Sequence, residues 1–261
     1  MRPRRLWSLD VFTVEALVVG AVAAYIVGVS KTGLPGSGLI AIPLFATVFD
    51  GRMIPGATLP ILICADLFAV RWYRQHTRWD LLRPLATWVG LGYVLGIVFF
   101  VAVGNATRSL EITIGGIVLV IVAIQLWRMF HGDPVRPAGT VTAATYGTAG
   151  GFTTFVANAA GPVMNTYLVG LRLPKHHHLG TSAWLYLAVN VTKIPFYLVL
   201  GEWTDGGRFF TRDGLLFDLV MVPAIVIGVF SGRSLFHRLP QRAFLVGVLV
   251  LSAAGAVNLV L

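Results

Sequence analysis

Residues 28–38 read Gly28-Val-Ser-Lys-Thr-Gly-Leu-Pro-Gly-Ser-Gly38, and residues 158–162 read Asn158-Ala-Ala-Gly-Pro162. Each stretch interrupts an apolar run. The first run, from about Val11 to Val29, breaks at residues 30 to 38, and the apolar stretch after it, Leu39 to Phe49, is well short of the ~20 residues a spanning helix needs. The second break lies in a run that starts near Val141, and the short stretch after it ends at Leu171. Helix breaks at membrane depth persist only where the freed backbone groups are buried in protein or face a polar cavity. The two breaks therefore mark the interior of a membrane protein and not its lipid face.

Working outward, longer apolar runs follow each break. They lie at about Pro55 to Tyr73, Leu85 to Val103 and Leu110 to Met129 in the first half, and at about Leu179 to Leu200, Leu215 to Phe236 and Phe244 to Leu261 in the second. The polar segment Phe130 to Gly139, with Asp133, Pro134, Arg136 and Pro137, separates a first repeat, 1–136, from a second, 137–261. Sliding one half by about 123 residues puts Gly36-Ser37-Gly38 on Ala159-Ala160-Gly161, and one further insertion puts Asp66 on Asn190 and Tyr73 on Tyr197. About five segments per half is an odd number, so the second half enters the bilayer the other way up. The expected fold is an all-α polytopic membrane protein of two inverted-topology repeats, with broken or re-entrant helices at the centre.

Composition agrees. Of 261 residues, 56% are hydrophobic and 12% charged, against roughly 25% charged in a soluble domain, and the mean hydropathy is +0.79. A water-soluble fold is excluded. The net charge of +9 could suggest nucleic acid, but the cations sit between apolar runs and form no basic helix, so no nucleic-acid partner is expected. Arg71, Arg74, Arg78 and Arg83, then Arg128 and Arg136, Arg172 and Lys175, and Arg233, Arg238 and Arg242 mark cytoplasmic loops. Arg2, Arg4 and Arg5 run against that assignment. The chain belongs in the cell membrane, inner or plasma, with lipid around it; a homodimer is among the assemblies this allows.

At each break a new helix starts, with Ser37 or Gly38 and Asn158 or Gly161 as cap candidates and Pro162 in the first turn. Backbone N–H donors at Gly36, Ser37 and Gly38, and at Ala160 and Gly161, together with the positive ends of two helix dipoles, favour a small anion. Lys31 adjoins the first break. Lys193 lies within the eighth segment, with Asn190 one turn earlier and Pro195 just after. A lysine at the bilayer centre costs roughly 2.5 to 3.5 kcal/mol, so a partner is required. Asp66, read as the one carboxylate well inside a span, pairs with one lysine or carries a proton for coupling. Asn158 and Asn190 would add side-chain amides. The competing readings are that the small residues only let helices cross closely and that Lys31 snorkels to the surface.

Other features point away from chemistry. His176-His177-His178 reads as a solvated cytoplasmic turn, because consecutive residues do not converge on one ion, so no metal site is expected. Ser37 has no histidine base within a span, which leaves no catalytic residue and argues against an enzyme. No cofactor is implied. The single cysteine, Cys64, allows no intramolecular disulfide. Trp7, Trp72, Trp79, Trp127, Trp184 and Trp203 lie near segment ends as interfacial anchors.

The run Gly28 to Gly38 followed by Pro43, and its counterpart Gly150-Gly-Phe-Thr-Thr-Phe155 with Ala159-Ala-Gly-Pro162, resemble the paired signatures of the TauE/SafE sulfite exporter family, also called the toluene sulfonate uptake permease family. Gly180-Thr-Ser-Ala183 leading to Asn190 and Lys193 resembles the family's second-half continuation. The resemblance covers nearly the whole chain. It implies a secondary transporter that moves sulfite, organosulfonates or related small anions by alternating access, with proton coupling as one form of energy input. A passive anion channel built on the same breaks is the alternative, and an intramembrane enzyme a more distant one.

Overall fold

A bilayer offers no water to backbone N–H and C=O groups, so long runs of Leu, Ile, Val, Ala and Phe satisfy them internally as helices. The computed structural model describes residues 11–33, 37–104, 106–132, 139–203, 208–235 and 241–261. Among these residues the chain forms ten α-helices and no strand. They are α1 (Val14–Thr32), α2 (Ala41–Phe45), α3 (Met53–Tyr73), α4 (Trp79–Val103), α5 (Thr107–His131), α6 (Thr140–Ala157), α7 (Ala160–Gly170), α8 (Lys175–Trp203), α9 (Arg212–Leu235) and α10 (Gln241–Val260). Six, α1, α3, α4, α5, α8 and α9, are long and apolar enough to cross a membrane. Their outward faces carry exposed apolar side chains such as Val98, Val101, Val120, Leu219 and Val220. This is a multi-pass membrane protein.

The two sequence breaks are breaks in the structure. After α1 the described chain resumes as a 3₁₀ turn, Ser37–Ile40, and passes into the five-residue α2. After α6 it resumes as α7, whose 11 residues cover only about 16 Å of a ~30 Å hydrocarbon core. The long helices start earlier than the apolar runs suggest. Helix α4 begins at Trp79 and not near Leu85, with Asp80 in its first turn held by Arg78 at 2.6–2.8 Å. Helix α8 begins at Lys175, so the histidine run forms its first helical turn, with His176 exposed. The His178 N–H closes that turn on Pro174 O at 2.9 Å.

Packing follows a regular scheme across the two halves: α1 lies on α9, α4 on α6, α3 on α8 and α5 on α10. Two of these contacts bring backbones together. A Cβ at Gly28 would stand 2.5 Å from Ile225 O, and one at Gly228 2.2 Å from Tyr25 O, on the α1–α9 seam. On the α4–α6 seam, Gly92 faces Thr148 O and Gly151 faces Val89 O, each at 2.4 Å. These glycines do serve close helix crossing. Gly161 is different: a Cβ there meets nothing within 4 Å.

At one end of the bundle Phe100, Phe155, Tyr197 and Phe209 form a buried aromatic cluster, with Tyr197 and Phe209 stacked at 4.3 Å. Arg52 lies against the Phe100 and Phe209 rings and donates to Phe100 O at 2.8 Å and Gly104 O at 3.1 Å. Burial holds its guanidinium below the ordinary arginine range. The expectations that rest on Arg2, Arg4, Arg5, Trp7, Gly36, Asp133, Pro134, Arg136, Pro137 and Arg238 lie outside the described residues.

Candidate functional site

Both breaks open onto one cavity. The last turn of α1 supplies Ser30 and Lys31, the 3₁₀ turn Gly38 and Leu39, and the middle of α3 Leu62, Asp66 and Ala69. From the second half come Asn158 and Ala159 between α6 and α7, then Gly161, Pro162 and Asn165 of α7, and Ser182 and Tyr186 of α8. The space is about 60 Å³, room for about two water molecules at liquid density. That is the scale of a small oxyanion.

Charge is concentrated at its edge. Lys31 Nζ lies 2.8 Å from Asp66 Oδ1 as an ion pair, with the Lys31 side chain 11% exposed and that of Asp66 fully buried. The same ammonium sits 4.4 Å from the centre of the Tyr186 ring. Lys31 therefore turns inward and does not snorkel. Asp66 Oδ2 accepts from Asn190 Nδ2 at 2.6 Å. Asp66 and Asn190, placed on each other by the repeat offset, thus meet directly.

Lys193 is fully buried and stands behind the cavity wall. It donates to Thr154 O at 3.1 Å, to Thr154 Oγ1 at 3.0 Å and to Asn158 Oδ1. Three acceptors match the three N–H donors of an ammonium. The offset of about 123 residues places Lys31 on Thr154. Each half therefore ties the helix before its break to the central α3 or α8 by a polar contact, Lys31–Asp66 in one and Thr154–Lys193 in the other.

The second break is shaped by Asn158. Its backbone is left-handed, φ 53° and ψ 25°, a conformation Asn tolerates better than most residues, and it closes α6 by donating its N–H to Thr154 O. Asn158 is thus the C-cap of α6 and not the N-cap of α7. Ala159 holds the N-cap position and has no side chain to cap with, so the Ala160 and Gly161 N–H groups have no side-chain cap. Pro162 falls in the first turn, where its missing N–H is harmless. The first break differs as well: Ile40, and neither Ser37 nor Gly38, is the residue that leads into α2.

The sequence-derived residues take two roles, and Asn158 takes both. Lys31, Gly38, Asp66, Asn158 and Gly161 line the cavity, and Ser37 and Ala160 are their buried neighbours. The Asn190 amide donates to Asp66, the Asn158 amide to Pro55 O at 2.8 Å, and Lys193 to the break itself. Those three side chains brace the wall. Sequence reading missed Asn165, Ser182 and Tyr186, although a signal was present: 182, 186, 190 and 193 form one face of α8 at helical spacing, and Asn165 lies one turn after Gly161. Tyr186 donates its hydroxyl to Gly161 O at 3.1 Å, and His178 Nε2 lies 3.1 Å from Asn165 Oδ1. Among the described residues no group of three or more His, Cys, Asp or Glu side chains is placed to hold a metal.

The family model described as Sulfite exporter TauE/SafE matches residues 17–259, nearly the whole chain. No curated protein and no solved structure matches.

Proposed function

The chain belongs to the TauE/SafE sulfite exporter family, and from that premise we propose that it is a secondary transporter of small sulfur-containing anions, sulfite or organosulfonates, working by alternating access. The observation that carries the proposal is the shared cavity: two interrupted helices, one from each half, meet at a space edged by Lys31 and by the start of α7. The Lys31 ammonium gives the anion a charge partner, and the Ala160 and Gly161 N–H groups give it donors at the positive end of a helix dipole. Asp66 sets the position of Lys31 and limits the excess positive charge. Lys193 and Asn158 hold the α6–α7 break open.

Alternating access requires two bodies that move about the site. The pairings α1–α9 with α4–α6, and the self-paired α3–α8 and α5–α10, support an inverted repeat of 1–136 and 137–261, since a two-fold relation exchanges the first two and maps the others on themselves. The Asp66–Asn190 contact would then lie beside that axis.

The test is flux in liposomes of the purified protein, offered sulfite, sulfoacetate, taurine, thiosulfate or sulfate with and without a pH gradient. Accumulation against the anion gradient supports the transporter. Flux only down the gradient returns the channel reading, and no flux of any of these anions overturns both. Gly161→Leu provides a site-directed version. The added side chain enters open space, so yield and melting temperature should stay at the wild-type level while flux is lost. Wild-type flux in Gly161→Leu would take the anion out of this cavity.

A further inference from the structure

Helix α9 carries a second carboxylate that the anion site does not use. Asp218 is 6% exposed, and neither of its oxygens has a hydrogen-bond partner among the described residues. Sequence reading took Asp66 as the one carboxylate well inside a span; Asp218 is another, in the second turn of α9. It is packed where α9, α3 and the segment before α9 meet, against Met53, Ala57, Phe209, Phe210 and Leu215, with Thr211 and Gly214 beside it. The space there is too small for a water molecule. Thr211 Oγ1 is itself occupied, accepting from Gly214 N at 3.1 Å.

Among the described residues no cation pairs with Asp218 to compensate a negative charge. Arg52, at the start of α3, turns its guanidinium to the Phe100 and Gly104 carbonyls. Arg208, Arg212 and Asp213 are exposed, as are Asp50 before α3 and Glu15 on α1, the other helix packed on α9. None of the ion pairs among the described residues includes Asp218. A carboxylate left without water, donor or counter-ion is not sustained in an apolar surround, whereas a neutral carboxylic acid is.

We infer that Asp218 is a proton-binding site on the α3–α9 seam, occupied while the seam is closed as it is here and emptied when the seam opens to water. The seam is placed to pass that event on. Helix α3 carries Asp66 about 14 Å along from Ala57, and α9 packs on α1, which carries Lys31. Closure is tight: a Cβ at Gly56 of α3 would stand 1.8 Å from Phe209 O. The site stands apart from the anion cavity and does not depend on which anion is moved.

Infrared spectra of the purified protein across a pH series test it directly. The expected result is a carboxylic-acid C=O band at neutral pH that is lost in Asp218→Asn and kept in Asp66→Asn. Absence of the band in the wild type, or its survival in Asp218→Asn, overturns the assignment, and this reading stands whether or not liposomes show anion flux. Proton uptake accompanying anion flux, followed by an internal pH dye, tests the coupling. Asp218→Asn should keep anion exchange and lose the proton signal. A wild-type proton signal in that variant, or anion flux in the wild type with no proton movement, overturns the coupling role.

Discussion

Replacing Lys31 by methionine is expected to destabilise the protein by about 3–5 kcal/mol and to abolish anion flux. The reason is the fully buried Asp66, whose Oδ1 has the Lys31 ammonium at 2.8 Å and whose Oδ2 has Asn190. Removing only the cation leaves an uncompensated charge inside the bundle, which costs far more than the pair itself contributes. The double variant Lys31→Met/Asp66→Asn separates the two effects. It removes both charges and keeps an amide oxygen for Asn190, so thermal unfolding in detergent should return close to wild type. Flux should stay absent, because the anion has lost its ammonium. Recovery of flux together with stability would reduce Lys31 to a structural role.

The second large effect is expected at Lys193. Lys193→Met leaves Thr154 O, Thr154 Oγ1 and Asn158 Oδ1 without their common donor in a buried position. A buried polar group left unpaired costs about 1–3 kcal/mol. Relief comes most easily by moving Asn158 out of its left-handed conformation, and with it the start of α7. Anion affinity should fall by roughly tenfold or more. Arg172→Asn is the control: Arg172 is exposed and also left-handed, φ 50°, so Asn fits its backbone. Equal losses in the two variants would remove Lys193 from the account of the site.

Much of the architecture was legible because a bilayer leaves the backbone few options. Long apolar runs became helices, and the two short segments after the breaks became the 3₁₀ turn with α2 and the 11-residue α7. Residue pairings were less legible. The sequence placed Lys31, Lys193 and Asp66 in one interior but left open which lysine meets the carboxylate. That depends on the crossing of α1 with α3 and of α6 with α8, which no local pattern encodes. Asn158 looked like the beginning of a helix because Asn is a favoured N-cap. It ends one instead, since Asn is also among the residues that tolerate positive φ. Asp218 escaped notice because it lies near Arg212 and Asp213, where a solvated segment end is the ordinary reading. Its burial comes from the segment before α9 folding back on α3, a tertiary contact made close by Gly56.

The central claim is that a small oxyanion is held between the two interrupted helices. Selenite, a heavier analogue of sulfite, allows its position to be measured by anomalous scattering from crystals grown with the ion. The account predicts a peak in the cavity bounded by Lys31, Gly38, Asn158 and Gly161, absent from Gly161→Leu crystals. Anomalous density confined to the loop arginines, with that cavity holding none, would contradict it.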